Sequence, residues 1–202
     1  VCSSDLRIPS TATLKLPSEA IEGILAHEAI HVKKRDVLWG QLWRLVYLLI
    51  VLVVVLSIQK YIANIEEYSI PIFLLIWVLM ILYPIIQSFC SQWMEVRADH
   101  LGASLLDGGS EQMSTSLIAL AEKQDEAINK SLSYSTVLKG EKDEPKSSIE
   151  RDSLLWRFVE FQFMLHPPMY WRVQSLRENK AGWGRKIRNR WMVDRLKESV
   201  SR

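Results

Sequence analysis

This sequence predicts a mainly α fold in which a helix suited to metal binding is joined to a transmembrane helical hairpin. Three observations predict it. His27 and His31 stand four residues apart in an apolar stretch, and two long uncharged apolar runs follow, at 45–59 and 69–94. A short block carrying Glu95 and Asp99 comes directly after the second run.

The bulk numbers narrow the field. At 202 residues the chain suffices for one domain with a sizeable core. Residues 1–202 read as a single membrane-embedded domain. The chain opens on Val1 without the basic, apolar and small-residue pattern of a signal peptide. The start is therefore expected to be truncated. A formal charge of +2 makes no case for nucleic acid. Mean hydropathy is only +0.04, but that average conceals two apolar runs and a highly charged last third. Cys2 and Cys90 are too few for a disulfide framework and lack the spacing of a thiolate metal site. Cys90, at the end of an apolar run, reads as a small buried residue.

Taken in order, Pro17-Ser18 reads as a helix start, with Ser18 as N-cap and Glu19 and Glu22 near the positive end of the dipole. Ile21, Ile24, Leu25 and Val32 mark an apolar stripe at helical spacing, so the helix is expected from about Glu19 to Lys34. Residues 42–62 form the first candidate span. Its charge-free stretch covers only about 22 Å, short of the roughly 30 Å hydrocarbon core. Arg44 and Lys60 can snorkel, and Trp43 and Tyr61 suit the interfaces. A buried core helix is the alternative. Residues 69–91, within the uncharged run to Met94, form the second span, with Pro71 in its first turn and Pro84 expected to kink it. Lys33, Lys34, Arg35, Arg44 and Arg97 lie at the histidine end of the hairpin, and only Lys60 lies at the loop end. By the positive-inside rule the histidines face the cytoplasm.

Beyond the hairpin, Asp107-Gly108-Gly109-Ser110 is a break, and Met113 to Lys130 has helical character. Residues 131–148 read as a flexible loop. A helix is expected over Ile149 to Met164, and Pro167-Pro168 starts another. The basic tail at 182–202, with Trp183, Trp191 and Met192, reads either as a helix on an anionic membrane surface or as a merely solvated one.

The histidines carry the chemistry. Four apart on a helix, they share a face one turn apart, so both imidazoles can reach one ion. Glu28 then sits where it can take a proton from water. With 4 His in the chain, random placement would produce this pattern about 0.006 times. Two histidines and a water leave zinc one protein ligand short. Glu95 is the natural third ligand, because the hairpin returns the chain to the same membrane face. Asp99, one turn on, is suited to hydrogen-bond a ligating histidine from behind.

At these residues the chain resembles the M48 metallopeptidases, of the membrane type that includes HtpX-like heat-shock and prenyl-protein proteases. The similar blocks are LPSEAIEGILAHEAIHVKKRD, EVRAD after two spans, and His166-Pro167-Pro168 through Arg172 to Leu176. The resemblance implies a zincin-like fold, Zn2+ held by His27, His31 and Glu95, and Glu28 as catalytic base. It places His166 and Arg172 near the site, assisting with substrate or the oxyanion. From the residues alone, a histidine before two prolines can simply anchor a turn, and Arg172 can pair with an acid. The resemblance further implies protein or peptide substrates, misfolded or membrane-bound, and a bacterial inner membrane with the active site facing the cytoplasm. One departure stands out. Family members carry further spans and a substrate-binding edge strand before the metal helix, and Arg7 to Leu16 is a poor fit to such a strand. Two alternatives remain: an M56-like sensor peptidase cleaving a repressor, and a non-catalytic zinc-binding membrane scaffold, against which the intact Glu28 argues.

Overall fold

A computed structural model describes residues 16–62, 65–139, 147–179 and 181–200. Among them lie seven helices and no strand: α1 (Ser18–Lys34), α2 (Asp36–Ile62), α3 (Ile65–Ala103), α4 (Gly109–Lys139), α5 (Leu154–Phe163), α6 (Met169–Glu178) and α7 (Arg185–Val200). The mainly α fold with a helical hairpin is thus observed. The stretch weighed as an edge strand falls, but for Leu16, outside the described residues.

α1 forms where the sequence predicts, shifted by one residue at its start. Pro17, not Ser18, holds the N-cap position, and no side chain caps the helix. The Pro17 carbonyl accepts from the Ala20 and Ile21 amides at 3.0 and 3.1 Å, so the proline's fixed φ sets the entry angle. The far end turns on one residue. Arg35 adopts the left-handed conformation (φ 55°, ψ 42°) while its amide bonds the His31 and Val32 carbonyls. A left-handed non-glycine residue is disfavoured by about 1 kcal/mol. It lets α2 begin at once, with Asp36 folded back toward the end of α1.

α2 and α3 are both long and apolar enough to cross a membrane, over Asp36–Gln59 and Tyr68–Ala103. None of their most apolar window is buried within the protein. Leu48, Leu52, Val53, Leu74, Val78 and Met80 all point outward. A buried core helix would show the reverse. The two helices hold each other through the Tyr47 hydroxyl, which donates to the Leu79 carbonyl, and through the Tyr47 and Tyr83 rings, 4.9 Å apart. α3 begins at Ile65, so Pro71 lies beyond the first turn, and the helix runs unbroken through Pro84.

From Ser88 onward α3 changes character and enters the core. Val96 packs with Phe161, Trp171, Ile187 and Trp191, and Ala103 packs with Met113, Leu117, Val173 and Leu176. One helix therefore carries the chain from exposed apolar surface into the site. α4 extends to Lys139, so residues 131–139, predicted as part of a loop, are helical. Residues 140–146 of that loop lie outside the described residues. Cys90 is half-buried and free.

Two glycines set the spacing of the helices around the site. A Cβ on Gly23 would overlap the Ser116 side chain, and one on Gly102 would meet the His27 amide nitrogen at 3.2 Å. α1 therefore lies against α4 at Gly23 and against α3 at Gly102. Gly23→Ala is expected to destabilise the fold by about 1–3 kcal/mol through overpacking. Thermal unfolding should register the loss, and Ser116→Gly in the same chain should recover part of it.

Candidate metal centre

Helix α1 presents His27 and His31 on one face, with ring centroids 4.7 Å apart and Nε2 atoms separated by 3.0 Å. α3 brings Glu95 across from the other side. Its Oε2 lies 3.5 Å from His27 Nε2 and its Oε1 3.4 Å from His31 Nε2. One ligand atom from each of the three residues falls within 4.8 Å of the others, a group that could hold a metal ion. His27 and Glu95 are buried and His31 is half-buried.

Behind each histidine stands a carboxylate, and behind each carboxylate an arginine. His27 Nδ1 is 2.8 Å from Asp99 Oδ1, and Arg172 grips Asp99 with two hydrogen bonds of 2.8 and 2.7 Å. His31 Nδ1 is 2.7 Å from Asp36 Oδ2, and Arg97 donates to the other oxygen of Asp36. An ionised carboxylate only accepts, so His31 Nδ1 must carry the hydrogen of its bond to Asp36, and the charge of Asp99 beside His27 Nδ1 favours the same tautomer there. In the neutral rings both Nε2 lone pairs then aim inward, at each other and at the Glu95 carboxylate.

Such a cluster of converging acceptors is stable only around a cation. Without a metal, protons fill that role. Burial disfavours the charged ring at His31, but hydrogen bonds to Asp36 and Glu95 outweigh it and push the ring up to about 10. His27 is raised for the same reason, with Asp99 and Glu95 overcoming desolvation. Two imidazoles and a carboxylate are the donor set of a catalytic zinc site, and fixed Nδ1 partners are what such ligands require. The residues fit a divalent metal.

The remaining predicted residues gather here as well. Glu28 follows His27 and is half-buried. His166 reaches in from the segment before α6, with Nδ1 3.0 Å from Glu95 Oε2 and half its side chain exposed. Arg172 also lies 3.5 Å from Glu95 Oε2, and its side chain is only 7% exposed. A cavity of about 210 Å³ opens onto His27 and Glu95, with His166 and Arg172 in its wall.

The family model of peptidase family M48 matches residues 10–180. This chain belongs to peptidase family M48. M48 proteins are metallopeptidases, which implies protein or peptide substrates. No curated protein and no solved structure matches the chain.

In this M48 chain, structure adds two residues that sequence reasoning passed over. Asp36 and Arg97 form the relay behind His31, yet Asp36 looked like one more charge in VKKRD. The signal available was an acid five residues after the second histidine, but only the turn at Arg35 makes that spacing useful. A fourth histidine, His100, is buried with Nε2 3.0 Å from the Ser175 hydroxyl and stays apart from the cluster. Asp99 stands against His27 as its spacing suggested, and Arg172 pairs with an acid.

Asp36→Asn is expected to weaken metal binding about 10–100-fold while leaving the circular dichroism spectrum unchanged. Competition with a chelating dye measures the affinity, and wild-type affinity would show that the relay does not set the His31 tautomer. Arg172→Leu leaves Asp99 buried without its partner. It should destabilise the metal-free protein by about 3–5 kcal/mol, read by thermal unfolding.

Proposed function

We propose that this chain is a zinc-dependent endopeptidase embedded in a membrane, with its active site facing the cytoplasm. The observation that carries the reading is the convergence of two Nε2 atoms and a buried carboxylate at an open cavity, with Glu28 next to His27 in the chain. In this reading His27, His31 and Glu95 hold the ion. Bound there, zinc would supply Lewis acidity, making water more acidic and polarising a peptide carbonyl.

The chain's own groups do the rest. Glu28 accepts a proton from the attacking water as its oxygen adds to the carbonyl carbon. It returns that proton to the amine as the C–N bond breaks. Asp99 and Asp36 keep both rings oriented, and Arg172 holds Asp99 in place. His166 is half-exposed at the cavity, and we assign it to the substrate, as a donor to the developing oxyanion. Arg172, committed to Asp99, is a positioning residue.

Two outward-facing apolar helices support the membrane reading, and the basic residues at the histidine end support the orientation. Membership in M48 disposes of the M56-like sensor. A non-catalytic scaffold would need neither Glu28 nor the cavity. Misfolded or membrane-bound proteins are the substrates that suit a site so placed.

Purified in detergent with zinc, the wild type should cleave an unfolded protein such as casein. Glu28→Gln should lower the rate by about 10²–10⁴-fold while binding the same amount of zinc. Equal rates in both proteins would defeat the assignment of Glu28.

A further inference from the structure

Helix α7 has two faces that bury or ought to bury something. The inner row, Ile187, Trp191, Arg195 and Ser199, recurs every fourth residue and is buried. Arg195 fastens it to α3, donating to Gln92 Oε1 at 2.8 Å and lying 5.5 Å from the centre of the Phe89 ring. The outer row, Met192, Leu196 and Val200 with Val193 beside it, is fully apolar and exposed. Leu196 is 67% and Val200 77% exposed. The neighbouring α5 is similar, with Leu155 76% exposed and Phe158, Phe163 and Met164 also open.

The charges on α7 sort by face. Both of its acids are used internally: Asp194 accepts from Trp171 at 3.0 Å and from Arg190 at 3.2 Å, and Glu198 pairs with Arg151 and Arg157. Arg185, Lys186, Arg188 and Lys197 are exposed. Among the described residues none of these four has a carboxylate partner. The outer face therefore sets Met192, Leu196 and Val200 among Arg185, Arg188, Asn189 and Lys197, apolar side chains with unpaired cations and no acid, which suits the surface of an anionic membrane.

The depth of this layer is set by α3. The Ser88 hydroxyl donates to the Met164 carbonyl at 2.7 Å, and the Gln92 amide donates to the Glu160 and Met164 carbonyls at 2.8 and 2.9 Å. Phe89 packs on Trp191 with ring centroids 4.9 Å apart. α5 and α7 thus join α3 where its outward-facing apolar stretch ends and its buried part begins.

We propose that α5 and α7 form a lipid-facing edge, which dips its apolar side chains into the cytoplasmic leaflet beside the hairpin while the flanking cations meet anionic headgroups. The proposal rests on the membrane reading above. α5 ends at Phe163, three residues before His166 in the wall of the cavity at the metal centre, so the edge would hold that opening near the bilayer surface, within reach of segments leaving the membrane.

Spin labels test it in the full chain, in bilayers of phosphatidylcholine and phosphatidylglycerol. Cys2→Ser and Cys90→Ser, or Cys90→Ala if the first misfolds, supply the background, and each labelled protein is checked for wild-type zinc binding. Labels go at Leu49→Cys in the hairpin, at Leu155→Cys and Leu196→Cys in the edge, and at Glu122→Cys as a water reference. Collisions with oxygen report lipid, and collisions with a nickel chelate report water. The expected result is oxygen-rich labels at 49, 155 and 196, those at 155 and 196 the shallower, and a shift of both toward water when phosphatidylglycerol is omitted. Lipid at 49 with water at 155 and 196 would overturn the proposal and leave the membrane reading standing. Shielding of 155 and 196 from both reagents would mean a second copy covers the edge, and would overturn it too. Water at 49 would defeat the membrane reading and the proposal together.

Discussion

Three acceptors aimed at one point, two imidazole nitrogens and a buried carboxylate, are the constraint around which this molecule is organised. The Nε2 atoms of His27 and His31 stand 3.0 Å apart and face a buried carboxylate. That arrangement is favourable only once protons or a metal ion enter it. The surrounding charges are matched to such an entry. Glu95 and Asp99 meet the guanidinium of Arg172, and Asp36 meets that of Arg97, so with Glu28 beside His27 in the chain four carboxylates stand against two guanidiniums, a balance that suits a divalent ion. Buried charges survive only when paired and hydrogen-bonded. Each acid behind a histidine has its arginine for that reason.

Holding the cluster in place is a backbone problem, and α3 solves most of it. A single helix passes from outward-facing apolar residues to a core segment, and Glu95 and Asp99 lie one turn apart in the latter. One face therefore delivers the third ligand atom and the partner of His27 together. Gly102 then lets α3 lie against the His27 backbone, and Gly23 lets α1 lie against α4. The Gly102 approach reaches the backbone at Ala26 and His27 itself, which ties the histidine helix directly to the helix that carries Glu95.

The metal cluster was legible from spacing because helices make it local. Histidines four positions apart, and Glu95 and Asp99 four positions apart, are statements about one turn of helix. The return of Glu95 to the histidines followed from two apolar runs that can only pair as a hairpin. What was not legible depended on single backbone conformations. Asp36 faces His31 only because Arg35 turns left-handed, a rare choice for a non-glycine residue and invisible in its identity. The extension of α4 to Lys139 was missed because polar, charged sequence carries no apolar period, even where a helix continues. Arg172 was open between substrate and an acid until the structure showed which acid lay within reach.

The two relays are not equivalent in what they tie together. Arg172 and Asp99 belong to α6 and α3, both packed in the core, so the support behind His27 is internal to the folded domain. Asp36 opens α2, and Arg97 lies in α3 just past its apolar run. Their ion pair joins the two feet of the hairpin at the level where both helices leave their exposed apolar stretches. The oxygen of Asp36 that Arg97 leaves free is the one that orients His31. The geometry of one metal-facing nitrogen therefore depends on how closely the two long helices approach. The hairpin is for that reason part of the site's construction, and a chain keeping the histidines but losing the hairpin would keep the motif without the orientation that makes it useful.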